Sequence, residues 1–207
     1  NRDSFNILNE KKEIEYFKKL NYPELHNRSI CFHIREEQYN KDNPNLKKNN
    51  FVIFYKKEDF KDALDEIINE KYVIYDLSKL NEEAKLDTKY YIDLKRKNFN
   101  QEEYKYLISK NSEFFISTGG GISELPRLFK KPILRIDHEY NIFNNFSFST
   151  LKDNIIFCNV YDTELKRFLS IKEQFNNLDK MFPNFKHLNY DRFKLVKNSK
   201  EEIKNLI

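Results

Sequence analysis

The chain has 207 residues, 37 basic against 33 acidic for a formal charge of +4, and is 39% hydrophobic and 15% aromatic. That is enough apolar material for one substantial core. Lys and Asp/Glu alternate finely with no basic stripe, which argues against a nucleic-acid-binding face. No apolar run approaches the roughly 20 residues that span a bilayer, and the first residues do not read as a signal peptide. Membrane association is therefore not expected, and a cytoplasmic location is.

Along the chain, Lys11 to Leu20 places Ile14, Phe17 and Leu20 at helical spacing, and Asn21-Tyr22-Pro23 ends that helix. Ser29 to Ile34 is a buried strand that runs into charged residues. Asn40 to Asn50 is a polar loop, and Phe51 to Tyr55 is either a short strand or an apolar loop. Between Asp59 and Asn69, the residues Phe60, Ala63, Leu64, Ile67 and Ile68 line one face of an amphipathic helix. Strands follow at Tyr72 to Asp76 and Tyr90 to Asp93, then a helix at Glu102 to Ser109 and a strand at Phe114 to Ser117. A helix through Ile122, Leu125, Leu128 and Phe129 precedes a strand at Pro132 to Ile136. Ile155 to Val160 reads as one further strand and Ile171 to Met181 as a helix. Asn198-Ser199 with Glu201 and Glu202 reads as the capped start of a terminal helix through Ile203.

Helices alternating with short, fully apolar strands predict an α/β fold, a Rossmann-like parallel sheet with helices on both faces. Residues 1–28 read as an N-terminal helix and linker, 29–165 as the Rossmann-like domain, and 166–207 as a helical extension packed on it. Cys31 and Cys158 lie inside apolar runs and read as buried, reduced thiols.

The chain has only three glycines, and they are consecutive at Gly119, Gly120 and Gly121. They join an apolar strand to a helix start, where free backbone N–H groups and a helix dipole can cradle a phosphate. Tight packing of strand against helix is the plainer use of the same glycines. At the end of the Ser29–Ile34 strand, His33 and Arg35 are two apart and point to one side. A guanidinium there can bind a diphosphate with two forked hydrogen bonds, and a histidine can add a third donor. Taken singly, an arginine at a strand end is most often solvated or paired with a carboxylate, and a histidine is most often a satisfied core residue. Both devices fall at the carboxyl edge of one predicted sheet, where ligands bind in open α/β folds.

Ser123 and Glu124 follow the glycines and serve either as helix caps or, for Glu124, as an acceptor for ribose hydroxyls. The four histidines show no metal-ligand spacing, no Walker-type lysine follows the glycines, and their contiguity does not match a dinucleotide fingerprint. No cofactor and no metal are expected.

The segments Cys31-Phe-His-Ile-Arg-Glu-Glu-Gln-Tyr39, Asn49-Asn50 and Ser112 through Leu134, with the ending Phe193 to Ile203, resemble the C-terminal nucleotide-binding half of GT-B-fold glycosyltransferases. The likeness is to a bacterial family linked to surface-carbohydrate synthesis, and more distantly to fucosyltransferases, which carry a His-x-Arg at the matching strand end. Glu36 stands where the former family usually shows Asp, and Gly120 where Ser is common. The resemblance implies transfer of a sugar from a nucleotide-diphosphate donor to a glycan acceptor, with one half of a GT-B fold in this chain and a second Rossmann-like domain outside it. His33 and Arg35 would act on the diphosphate. Thr118, Gly119, Gly120, Gly121, Ser123, Glu124 and Tyr39 would hold the donor. The Gly-Gly-Ile-Ser-Glu stretch is also similar to the nucleotide-holding segment of non-hydrolysing sugar-nucleotide epimerases, which share that architecture. A non-catalytic nucleotide-binding or scaffold domain is the third alternative.

Overall fold

The computed structural model describes residues 15, 18–19, 28–35, 55–78, 89–93, 101–119, 121–138, 154–183 and 188–205. Of the expected N-terminal helix only residues 15, 18 and 19 fall among them, and these are helical. The polar loop 40–50 and all of 51–55 except Tyr55 lie outside the described residues.

Six strands form one sheet: β1 (Ser29–His33), β2 (Val73–Asp76), β3 (Tyr91–Asp93), β4 (Phe114–Ser117), β5 (Ile133–His138) and β6 (Asn154–Phe157), in the order β3-β2-β1-β4-β5-β6. Every neighbouring pair is parallel. This is the Rossmann-like α/β fold expected from the alternating apolar strands and helices.

The central strands β1, β2 and β4 are apolar for most of their length because both sheet faces are covered. Ile30, Phe32, Ile74, Ile116, Leu134 and Ile136 point to one face and pack with Ala63, Leu64, Ile67 and Ile68 of α1 (Lys61–Asn69). Cys31, Val73, Tyr75, Phe115 and Ile133 point to the other and pack with Ile108 of α2 (Gln101–Asn111). Phe32, in the central strand, meets the edge of Phe60 at 5.2 Å between ring centroids. Burying one such side chain stabilises the fold by about 1.5–3 kcal/mol. Burial also pushes the Cys31 thiol up to about 12, although Ser112 donates or accepts a hydrogen bond at its Sγ. Both cysteines are buried and free of disulfide bonds, as expected.

The C-terminal part departs from the sequence reading. The run Ile155 to Val160 is two strands, not one. The chain leaves the parallel sheet at Cys158, and β7 (Asn159–Asp162) joins β8 (Arg167–Phe168) and β9 (Phe193–Val196) in a separate antiparallel sheet. An apolar run shows burial but not which neighbour supplies its hydrogen bonds. The expected helical extension 166–207 thus contains two strands as well as helices. The helix expected at Ile171 to Met181 breaks into α4 (Ile171–Asn176) and α5 (Leu178–Met181). At the break, Asn177 Nδ2 donates to the Glu173 carbonyl at 2.7 Å, a side-chain competitor for the helical ladder. The expected capped start is present, as a capping box of Ser199 and Glu202, and opens α6 (Lys200–Lys204), whose Ile203 packs on the α1 face.

Among the described residues, left-handed backbone outside the glycine turn is carried by lysine: Lys71 (φ 65°), Lys130 (φ 56°) and Lys166 (φ 53°). Each position costs about 1 kcal/mol relative to glycine.

Asp162, 1% exposed, anchors the small sheet. It accepts from the Glu164 and Leu165 amides at 2.9 and 3.1 Å and from Arg192 Nη2 at 2.8 Å. Burial alone would raise its pKa, but Arg192 and the two amides outweigh burial and hold the carboxyl below its ordinary value. Its contribution is therefore fully present above the unfolded-state pKa, about 4, and is lost as pH falls through the lower folded value. Asp162→Asn is expected to lower stability by about 1–3 kcal/mol at pH 7, with the gap to the unsubstituted chain closing below about pH 4. Urea unfolding across that range checks it. A gap independent of pH would contradict the assignment.

Candidate functional site at the switch point

In the order β3-β2-β1-β4-β5-β6 the chain runs outward one way through β1, β2 and β3, then returns to the other side of β1 through β4, β5 and β6. Loops leaving β1 and β4 therefore diverge to opposite faces and open a crevice at their carboxyl ends, the usual place for a ligand in such sheets. The two devices singled out in the sequence lie on these two loops.

Their positions are fixed by hydrogen bonds between the loops. His33 and Ser117 are register partners at the ends of β1 and β4. One residue on, the Thr118 N–H donates to the His33 carbonyl at 3.2 Å. The Thr118 hydroxyl Oγ1 in turn accepts from the Arg35 N–H at 2.8 Å. Ile34, between them, donates its N–H to Ser78 Oγ at 3.0 Å, and the Tyr55 N–H donates to the Arg35 carbonyl at 3.2 Å. The Arg35 segment is thus held from three directions just beyond the strand. His33 and Arg35 are both partly buried, and no carboxylate pairs with the Arg35 guanidinium among the described residues.

On the β4 side, Gly119 has a backbone that demands glycine, with φ +102°. Its N–H is already engaged by Ser117 Oγ at 3.0 Å, so it is not among the free donors of the turn. A Cβ placed on Gly119 or on Gly121 would meet nothing within 4 Å, so packing against the protein does not require either glycine. Gly121 opens a 3-10 turn, Gly121–Ser123, and the N–H groups of that first turn have no intrahelical acceptor. The helix that follows, α3 (Glu124–Leu128), has five residues. An α-helix this short carries only a small dipole; with the 3-10 turn it covers Ile122, Leu125 and Leu128 of the expected helix and stops one residue before Phe129. Gly120 and Tyr39 lie outside the described residues.

Glu124 is exposed, and its carboxylate accepts from Arg127 Nη1 at 2.9 and 3.1 Å. It also lies 3.8 Å from Nη2 of the buried Arg135. Two arginines thus hold this carboxylate, while its exposed oxygens stay open to a further donor. The register pairs His33 with Ser117 and Ser117 with Arg135, so the three form a polar row on one face across β1, β4 and β5.

Ser117, Ser78 and Arg135 were not among the residues singled out as site candidates from sequence. Arg135 carries a signal, a cation inside an apolar strand, and Asp76-Leu77-Ser78 has the spacing of a side-chain-capped turn. Ser117 shows nothing that separates it from other serines.

No family model matches the chain, and no curated protein sequence does. Among solved structures it is similar to the wall teichoic acid polymerase TagF, at 18% identity and a TM-score of 0.49, covering 99% of this chain and 49% of that one. Two histidine variants of the same polymerase match at 17% and 16% identity, with TM-scores of 0.49 and 0.46. The chain thus spans about half the length of the structures it matches.

The geometry separates packing from ligand roles at the glycines. Gly119→Ala is expected to cost about 1–2 kcal/mol, from the left-handed backbone alone. Gly121→Ala is expected to stay within about 0.5 kcal/mol of the unsubstituted chain. Chemical denaturation of both variants checks this, and equal losses would mean that Gly121 has a packing role absent from this structure.

Proposed function

We propose that the chain is the donor-binding domain of a glycosyltransferase that moves a sugar from a nucleotide-diphosphate donor to a glycan acceptor in surface-carbohydrate synthesis. One observation carries the reading. Arg35, a cation without a carboxylate partner among the described residues, and the open glycine turn sit on the two loops that leave the switch point between β1 and β4.

The chemistry follows from charge. As the bond between the sugar's anomeric carbon and the phosphate oxygen breaks, negative charge grows on the departing diphosphate while the sugar becomes oxocarbenium-like. The acceptor hydroxyl supplies the new bond and loses its proton to a base contributed from outside the described residues. Arg35 and the N–H groups of the turn from Gly121, which lack an intrahelical acceptor, stabilise the leaving oxygens, an electrostatic contribution that does not call for a metal. His33 donates to or orients the same phosphates, and Thr118 fixes the spacing between the two loops. Glu124 accepts from ribose hydroxyls while Arg127 and Arg135 keep it aimed. A GT-B arrangement supplies the acceptor from a second Rossmann-like domain.

Since the reading assigns this chain the donor, binding is the property to measure. UDP-, GDP-, ADP- and CMP-sugars are each added to the chain and its melting temperature is followed. At least one is expected to raise it, by an amount that grows with concentration as ligand linkage requires. Arg35→Ala is expected to weaken nucleoside-diphosphate binding about tenfold or more, through loss of a charge-assisted hydrogen bond, and nucleoside binding little. Stabilisation by none of the four, or equal losses for diphosphate and nucleoside, would overturn the reading. Interconversion of the sugar without nucleotide release would instead indicate an epimerase.

A further inference from the structure

Next to the crevice the protein buries an ion pair. Lys57, 2% exposed, places Nζ 2.5 Å from Oδ2 of Asp76, itself fully buried at the carboxyl end of β2, and 3.8 Å from Asp93 of β3. The Tyr91 hydroxyl donates to the same Asp76 oxygen at 2.5 Å. Removing two charges from water is costly, and apolar side chains of similar volume often stabilise a fold as well. Stability alone therefore does not account for charge at this place.

The connections of the pair suggest its use. Asp76 Oδ1 accepts from the Ser78 N–H at 2.8 Å, and the Ser78 hydroxyl accepts from the Ile34 N–H at 3.0 Å. From the other end, Lys57 lies two residues after Tyr55, whose N–H donates to the Arg35 carbonyl. The contacts close a ring: Arg35, Tyr55, Lys57, Asp76, Ser78, Ile34 and back to Arg35. Every link is a covalent segment, a hydrogen bond or the ion pair, and Ser78 is 4% exposed. Ile34 and Arg35 lie beyond the last ladder position of β1, where a chain would otherwise be free to move. We propose that Ser78, fixed by the buried Lys57–Asp76 pair, is a positioning residue that holds the Arg35 segment in its anion-binding geometry. This rests on the reading of Arg35 as the diphosphate contact. Preorganising the guanidinium removes an ordering cost that the ligand would otherwise meet.

The test is calorimetric titration of inorganic pyrophosphate into the 207-residue chain and its variants Arg35→Ala, Ser78→Ala, Ser78→Thr and the Arg35→Ala/Ser78→Ala double variant. Ser78→Ala is expected to weaken binding about five- to twentyfold, the effect of one buried hydrogen bond. Ser78→Thr keeps the hydroxyl and is expected to restore affinity to within about threefold. In the Arg35→Ala background, Ser78→Ala is expected to change nothing further, because its effect runs through Arg35. Amide exchange at Ile34 and Arg35 is expected to speed up in Ser78→Ala while Cys31 and Phe32 stay protected, which a general loss of stability would not produce. If Ser78→Ala does not fold, Ser78→Cys, a weaker acceptor of similar size, takes its place with an intermediate loss. Unchanged affinity in the Ser78 variants, or losses that multiply in the double variant, would overturn the proposal while leaving the donor reading intact. Equal pyrophosphate binding by Arg35→Ala and the unsubstituted chain would overturn the donor reading at Arg35, and the role of Ser78 with it.

Discussion

Thr118, just after β4, bonds across the point where the sheet changes direction to two residues at the end of β1. Its N–H holds the His33 carbonyl and its hydroxyl holds the Arg35 N–H. At a switch point the loops must part, since one connection turns to each face, and a crevice opens between them. Without a tie across the opening, the ends of β1 and β4 would be set only by the strands behind them. The Thr118 contacts extend the pairing of the two strands by one residue and fix the distance at which the crevice begins.

Behind that tie, the alternation of side chains decides what faces the crevice. In a parallel sheet covered on both faces, each strand needs apolar residues at every position except its carboxyl end, where the covering helices begin. His33 and Ser117, at the ends of β1 and β4, are where this apolar rule stops on one face, and Arg135, inside β5, continues their polar row. On the other face, Ile34 stays apolar and buried, so its backbone N–H is the group that needs a partner, and Ser78 supplies it. Charge beside the crevice is met by opposite charge: Lys57 by Asp76, and Arg127 and Arg135 by the single carboxylate of Glu124. Among the described residues Arg35 has no such carboxylate, and a cation at this edge suits an anionic ligand.

The parallel sheet was legible because its signal is simple. Strands such as Phe114–Ser117 are buried on both faces, and α1 shows its buried stripe at helical spacing. The antiparallel sheet was not, because Arg167–Phe168 is two exposed residues and Phe193–Val196 reads equally as a loop. The glycine turn was found from composition, but its internal use of the Gly119 N–H depends on Ser117, whose role no pattern in sequence shows. Ser78 and Lys57 were missed for a related reason. Lysine is usually a solvated surface residue, and only the three-dimensional approach of Asp76 and Asp93 makes this one internal. Contacts between residues far apart in sequence were what local spacing failed to show.

The central claim is that an anion binds between the β1 and β4 loops. Titrating the isotope-labelled chain with pyrophosphate and recording amide chemical shifts tests it most directly. The account predicts saturable shifts at Ile34, Arg35, Gly119, Gly121 and Ile122, with the antiparallel sheet unmoved. Shifts centred on any other surface, or none at saturating pyrophosphate, would contradict it.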